Sequence, residues 1–241
     1  VEKYDLVVND FEPITAWACK RKGIPCVALS HQSALLSKKV PSPKHYDPVG
    51  DWILKNYAPA PVHVGFHFAR FDKQIYTPVI RSGIRTAANN FREHYTVYLP
   101  AYDDRKLVPL LAKLPNVRWH IFSKHTKKTY HIGKLSVYPV NKEEFEASMT
   151  SATGVLCGAG FETPAEALYL NKKLMVVPMK NQYEQYYNAA ALREMGVPVL
   201  KNLKKKRLEK IEEWIESSRK VSVQYDDITR QAVAEAISLI S

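Results

Sequence analysis

Two short segments in the second half of the chain combine glycines, a hydroxyl and a carboxylate at a spacing typical of phosphate binding. The apolar, partly β-branched run Thr153–Cys157 predicts a buried strand, and Gly158 and Gly160 follow it directly. Thr163 and Glu166 then form a Thr-Pro-x-Glu sequence, which predicts a helix with Thr163 as N-cap, proline at the first position and a capping box. A strand, a glycine turn and a helix N-terminus present backbone N–H groups and a positive dipole end to an anion.

The second segment follows the next apolar run, Leu174–Val177, which also predicts a buried strand. Glu184 and Gln185 lie in the polar stretch behind it, where the helix Gln185–Met195 is predicted to begin. Open α/β sheets bind ligands beyond the carboxyl ends of their strands. Taken together, the two turns predict one site for a phosphorylated ligand.

Each of these residues also has a simpler interpretation. A Gly-x-Gly sequence before a helix is a weak signal by itself. Glu166 would serve equally well as the capping partner of Thr163, and Glu184 and Gln185 as solvated residues of a first helical turn. The phosphate interpretation depends on finding both turns in order within one chain.

The two segments resemble the C-terminal domain of GT-B glycosyltransferases, especially the bacterial peptidoglycan N-acetylglucosaminyl transferases and, more distantly, the plant glucosyltransferase signature. The resemblance implies that the Gly158–Thr163 turn meets a diphosphate, that Glu166 holds the ribose and that Glu184 and Gln185 orient the donor sugar. Plant enzymes carry histidine where this chain has Gly158, so the helix N-terminus would carry more of the phosphate charge. The implied nucleotide-sugar site comprises Tyr102, Val140 (through its backbone, at the base), Gly158, Gly160, Phe161, Thr163, Glu166, Glu184 and Gln185.

Alternating strands and helices organise the whole chain. Residues 1–80 contain one βαβ unit, a proline-rich stretch and a further strand, too little for a full core, so we expect the second half of an N-terminal, acceptor-side Rossmann-like domain. Residues 81–225 contain five predicted strands with helices between them and are expected to bind the nucleotide sugar. Residues 226–241 predict a helix that crosses back to the N-terminal domain, by analogy with GT-B proteins. The expected fold class is therefore α/β of GT-B type, with two Rossmann-like doubly wound domains, the first incomplete.

Candidate general bases lie at strand exits of the N-terminal part. Asp10 and Glu12 follow the first predicted strand, and His31 follows the second. Glu12 also precedes Pro13 and is a predicted helix cap. The eight histidines show no ligand-like pairing, so we expect neither a metal nor any other cofactor.

Composition and charge indicate where the protein is located and what kind of partner it binds. The chain has 241 residues, of which 46% are hydrophobic, and no run of eighteen apolar residues. Three cysteines without metal-like spacing suggest buried thiols in a reducing compartment, hence a cytoplasmic protein. The net charge of +11 favours anionic partners. Leu35, Leu36, Lys38, Lys39 and Lys44 also suggest shallow contact with an anionic membrane surface on the inner face of the plasma membrane.

The resulting hypothesis is a metal-independent glycosyltransferase of hexosyltransferase type. It would move a sugar from a nucleotide diphosphate sugar, with UDP favoured, to the hydroxyl of a lipid-linked or glycan acceptor. A UDP-sugar epimerase or nucleotide-sugar hydrolase on the same fold is one alternative. A non-catalytic nucleic-acid-binding protein is the other, but the basic residues form no aromatic-interleaved stripe, so we expect no nucleic-acid partner.

Overall fold

The computed structural model describes residues 4–44 and 47–240. It divides the chain into two compact units. The first unit comprises the described residues up to Val79 together with those from Tyr225 onward, and the second comprises Ile80–Gln224. The functional roles expected for these parts of the chain remain predictions.

The first unit is a parallel sheet with helices in its crossovers. Its elements are β1 (Val7–Asn9), α1 (Pro13–Lys22), β2 (Cys26–Ser30), α2 (His31–Ala34), α3 (Pro48–Asn56), β3 (Val62–Phe66), β4 (Ile75–Tyr76) and, from the end of the chain, α10 (Thr229–Ser238). The four strands lie in the order β1-β2-β3-β4, and all pairs are parallel. Ala232 and Ala236 of α10 are fully buried beside Val27 and Val64, so the C-terminal helix covers this sheet.

The second unit carries a larger sheet. Its elements are α4 (Ser82–Thr86), β5 (Tyr95–Tyr98), α5 (Asp104–Leu111), β6 (Trp119–Ser123), β7 (Tyr130–Ile132), β8 (Leu135–Pro139), α6 (Lys142–Ser151), β9 (Gly154–Gly158), α7 (Glu162–Tyr169), β10 (Lys173–Val177), α8 (Tyr183–Glu194), a 3₁₀ turn (Lys205–Arg207) and α9 (Leu208–Glu216). The strand order is β10-β9-β5-β6-β8-β7. All pairs are parallel except β7 with β8.

Local differences from the sequence predictions have simple causes. The segment from Tyr76 to Arg92, at the boundary between the two predicted domains, contains the end of β4 and the helix α4. The antiparallel strand β7 was not expected; Gly133, with a φ of 57°, makes the tight turn that pairs it with β8. Helix α8 begins at Tyr183 rather than Gln185, so Glu184 and Gln185 both lie inside its first turn.

A cluster of buried and half-buried polar side chains joins β5 and β6 to α6. The rings of His94 and His120 stack with their centroids 3.9 Å apart. The Ser148 hydroxyl lies 2.7 Å from the Thr96 hydroxyl and 3.1 Å from His120 Nδ1. Burial lowers the pKa of both histidines, and the neighbouring imidazole and Arg92 help to bring the pKa of His120 to about 4. The cluster is therefore built around neutral imidazoles.

Acid is expected to destabilise the second unit before its carboxylates titrate. Because the folded pKa of these histidines lies below the unfolded value of about 6.5, the unfolded chain binds protons first. The stabilisation is complete above that pH and is lost as the pH falls toward 4. We expect a loss of about 1–2 kcal/mol in the free energy of unfolding, discounted for partial exposure of His120. Urea unfolding at several pH values measures this loss. If the free energy of unfolding of His120→Gln fell with decreasing pH as steeply as that of the parent, the histidine cluster would not be its cause.

Candidate functional site

The sheet of the second unit changes its direction of winding between β5 and β9. From β5 the chain adds β6 and β8 on one side, and then returns to add β9 and β10 on the other. The pairs Tyr98↔Cys157 and Val177↔Gly158 bring the exits of β5, β9 and β10 side by side. Ligands of open α/β sheets bind at this kind of switch point, beyond the carboxyl ends of the strands. The fold thus brings both polar segments found in the sequence to one sheet edge.

The two glycines at the exit of β9 differ in what surrounds them. A Cβ on Gly158 would lie 3.7 Å from Gln185 Oε1, whereas a Cβ on Gly160 would meet no atom within 4 Å. Neither glycine has a left-handed φ, so the backbone does not require them. At Gly160 the missing side chain therefore leaves open space against the main chain, which suits the close approach of a ligand.

Helix α7 begins earlier than its sequence predicts, and the predicted capping box is wrong. Phe161 is the N-cap, Glu162 is the first helical residue, and no side chain caps the helix. Thr163 consequently lies within the first turn, with Pro164 behind it. Within the described part of the chain, the Thr163 hydroxyl shows no hydrogen bond, and the residue is half-buried. The start of α7 therefore has no side-chain cap, as is common where a helix N-terminus binds an anion.

Glu166 is held by an arginine that sequence reasoning missed. Arg81 Nε lies 2.5 Å from Glu166 Oε1, and Arg81 Nη2 lies 2.6 Å from Glu166 Oε2. Arg81 Nη1 also lies 2.8 Å from Glu146 Oε1. Glu166 is only 2% exposed, while the Arg81 side chain is 40% exposed. The carboxylate is therefore fixed by a two-pronged ion pair and not by the backbone N–H of Thr163.

Gln185 and Asn188 tie α8 to the loops after β9 and β10. Gln185 Oε1 accepts a hydrogen bond from Met179 N at 2.9 Å. The fully buried Asn188 donates through Nδ2 to Ala159 O at 3.1 Å. Glu184 is half-buried beside them. Asn188 is thus a positioning residue of the glycine turn, and its place one helical turn after Gln185 was the available sequence signal.

The other two residues expected in the second unit lie at the exits of β5 and β8. The Tyr102 hydroxyl accepts a hydrogen bond from Leu203 N at 2.9 Å, and its ring packs against the main core. Val140 is 46% exposed directly after β8, just before Asn141 caps α6. Tyr102 has a structural role that does not require a ligand, whereas Val140 lies at the surface.

The three candidate bases lie in the first unit, at the exits of β1 and β2. The Glu12 carboxylate caps α1, accepting hydrogen bonds from Ile14 N at 2.9 Å and Thr15 N at 2.7 Å. The interactions with Thr15 lower the pKa of Glu12, which makes it a weaker base. Asp10 is exposed.

The second of these exits carries a histidine that is held in place by the sheet. The buried His31 opens α2, and its Nδ1 lies 2.7 Å from Phe66 O. Donation from Nδ1 to that carbonyl favours the tautomer with Nε2 as its basic nitrogen. His31 therefore has the fixed orientation that a general base needs. The Glu12 carboxylate, in contrast, is occupied by its hydrogen bonds to the start of α1.

Among the residues that the structure describes, no group of three histidine, cysteine or acidic side chains is placed to hold a metal ion. None of the helices in residues 4–44 and 47–240 is long and apolar enough to cross a membrane.

Two mostly parallel sheets, the second with a glycine turn before a helix at its switch point, are the architecture of the GT-B fold. The model of glycosyl transferase family 1 matches residues 2–217. The chain therefore belongs to glycosyl transferase family 1. No curated protein matches it at the level of sequence.

Solved structures agree with the fold. A UDP-glucosyltransferase from Polygonum tinctorium is similar with a TM-score of 0.59 and 15% identity over 99% of this chain and 71% of that one. MurG from Acinetobacter baumannii has a TM-score of 0.57 and 15% identity over 98% and 73%. The glycotransferase of kitacinnamycin has a TM-score of 0.56 and 16% identity over 99% and 71%. At this identity the likeness shows the GT-B fold.

Proposed function

We propose that this protein transfers a sugar from a nucleotide diphosphate sugar, with UDP favoured, to an acceptor hydroxyl. The observation that carries the proposal is the order of strand exits along one sheet edge. Val140 follows β8, the glycine turn follows β9 and the Gln185 segment follows β10. Three strand spacings separate β8 from β9, or about 14 Å, which suits an extended nucleoside diphosphate. The base, diphosphate and sugar would occupy these exits in that order.

The diphosphate would lie on the turn from Gly160 to Thr163. The open space above Gly160 admits the phosphate oxygens, and the start of α7, which has no side-chain cap, supplies N–H groups and the Thr163 hydroxyl. In the reaction the acceptor oxygen bonds to the anomeric carbon, while the bond from that carbon to the diphosphate oxygen breaks. The negative charge that develops on the leaving diphosphate is stabilised by the helix dipole.

The ribose assignment of Glu166 needs one local rearrangement. Arg81 uses one lone pair on each carboxylate oxygen, so two acceptor positions remain for ribose hydroxyls. Because Glu166 is 2% exposed, neighbouring side chains must open when the ribose binds. We infer that Arg81 holds the carboxylate oriented for this contact.

The first unit would supply the acceptor side, with Asp10 or His31 taking the proton of the attacking hydroxyl. The orientation of His31 by Phe66 O favours it over the exposed Asp10. A lipid-linked or glycan acceptor, and contact with an anionic membrane surface, belong to the same proposal. The cytoplasmic location rests on the three cysteines, which are all free and buried.

The donor-sugar assignment predicts a selective loss of binding in Gln185→Ala. If Gln185 contacts only the sugar, affinity for UDP-N-acetylglucosamine should fall about 2–12-fold, corresponding to about 0.5–1.5 kcal/mol for one hydrogen bond. Affinity for UDP should stay almost unchanged. Calorimetric titration of both ligands measures the difference.

Thr163→Val is the matched control in this titration, because UDP and the UDP-sugar both carry the diphosphate. It should weaken the two ligands equally and, since Thr163 is not the helix cap, should leave the unfolding curve nearly unchanged. Equal losses for both ligands in Gln185→Ala would remove Gln185 from the sugar site.

A further inference from the structure

The second unit contains a cavity of about 370 Å³ that none of the predicted donor-site residues lines. It borders Leu174 and Met175 at the beginning of β10, whereas the donor site lies beyond Val177 at the other end of that strand. The remaining walls come from residues 196–200, from α9 and from residues 217–221. Its volume is in the range of small-molecule sites.

The interior of the cavity is apolar. Leu174, Met175, Val197 and Leu200 line it, and each is at most 5% exposed. Val199, which also lines it, continues the sheet by a parallel bridge to Val176. These walls belong to the sheet and its edge, so the cavity is preformed. A hydrocarbon or aromatic body would fit such a space.

The rim of the cavity is cationic. The lining residues include three cations, Lys210, Arg219 and Lys220, and one carboxylate, that of Glu213. The lining therefore has a surplus of two positive charges. None of the three cations forms an ion pair with another described residue. The Arg219 guanidinium lies across Gly196, where an added Cβ would stand 2.5 Å from Nη2. Gly196 therefore preserves the space in which this cation sits.

One residue of the cavity wall carries a buried hydrogen-bond donor. Trp214 lines the cavity and is 4% exposed. Its Nε1 is buried and has no hydrogen-bond partner among the described residues. Buried polar groups are nearly always hydrogen-bonded. Because Nε1 itself is buried, an acceptor atom of a ligand would reach it after a small movement of the cavity wall.

We propose that this cavity binds a small amphipathic anion. The apolar body fills the space between β10 and α9, and a carboxylate, sulfonate or phosphate group accepts from Arg219 and from Trp214 Nε1. The chemistry is an apolar body with one anionic head, and it contains no nucleotide. The site is independent of the donor site and of the function proposed for it.

Calorimetric titration of the full chain tests the proposal with three probes: naphthalene-1-sulfonate, decanoate and inorganic phosphate. The parent should bind at least one of the two amphiphiles and should bind phosphate at least tenfold more weakly. A preference for naphthalene-1-sulfonate would identify an aromatic body, and a preference for decanoate an aliphatic one. Arg219→Gln should weaken the bound amphiphile about tenfold, because a charge-assisted hydrogen bond is lost. Trp214→Phe, which keeps an aromatic ring, should weaken it several-fold.

Lys206→Gln is the matched control, since Lys206 is an exposed cation of the same region that does not line the cavity. Its amphiphile affinity should stay within twofold of the parent. UDP affinity should be the same in the parent and in Arg219→Gln, which separates this site from the donor site. Failure of both amphiphiles to bind, equally tight binding of phosphate, or equal losses in Arg219→Gln and Lys206→Gln would overturn the proposal.

Discussion

Arg81→Gln is expected to lower the free energy of unfolding of the second unit by about 2–4 kcal/mol. The substitution leaves the Glu166 carboxylate, 2% exposed, without its cationic partner. Breaking a buried ion pair by removing one partner costs about 3–5 kcal/mol, and the 40% exposure of Arg81 reduces that figure. Urea unfolding followed by tryptophan fluorescence measures the change. Trp119 and Trp214 are buried in the second unit, whereas Trp17 and Trp52 in the first are already exposed.

Arg105→Gln provides the matched control for this experiment. Arg105 makes an ion pair of 2.6 Å with Asp103 in the same unit, but its side chain is 86% exposed, so its loss should leave the free energy of unfolding nearly unchanged. The double variant Arg81→Gln/Glu166→Gln should recover part of the loss, because the uncompensated charge is gone. Equal unfolding curves for the two arginine variants would show that Glu166 does not depend on Arg81.

Gly160→Ala is expected to abolish or strongly weaken nucleotide binding without harming the fold. A Cβ at this position meets nothing in the protein, and the backbone φ is not left-handed, so stability should change by less than about 0.5 kcal/mol. The added methyl group would occupy the space proposed for the diphosphate. We expect at least a tenfold loss of UDP affinity by calorimetric titration.

Gly83→Ala is the corresponding control among the glycines. Its Cβ would stand 3.6 Å from Glu146 Oε2, an ordinary contact, and Gly83 lies in the helix α4. Alanine in a helix should raise stability by about 0.5–1 kcal/mol and should leave UDP affinity unchanged. If Gly160→Ala binds UDP as tightly as Gly83→Ala does, the phosphate does not lie against Gly160.

The parts of the site that depend on neighbouring residues could be predicted from the sequence. The runs before Gly158 and Pro178 are apolar and short, and both form buried strands, β9 and β10. Their parallel pairing follows from the βα alternation, so both polar loops reach one sheet edge. The family resemblance gave the GT-B fold, which the family match and the solved structures confirm.

The parts that depend on distant residues could not be predicted. Glu166 was expected to cap its own helix, but its carboxylate is held by Arg81, which lies 85 positions earlier in the chain. The stability of Glu166→Gln, which a capping role would leave almost unchanged, should therefore fall. The 370 Å³ cavity likewise brings together Met175, Gly196 and Arg219, which share no sequence pattern.

The proposed binding of a nucleotide diphosphate sugar by the second unit can be tested with a thermal-shift panel. The panel compares sugars linked to UDP, GDP, dTDP and CMP with the corresponding free nucleotides. A ligand that binds only the native state raises the apparent stability of the protein by about 2.7 kcal/mol at one hundred times its Kd, and so raises the melting temperature. We expect the largest shift with a UDP-sugar, and a loss of that shift in Gly160→Ala. A panel in which no nucleotide or nucleotide sugar raises the melting temperature of the parent protein would contradict it.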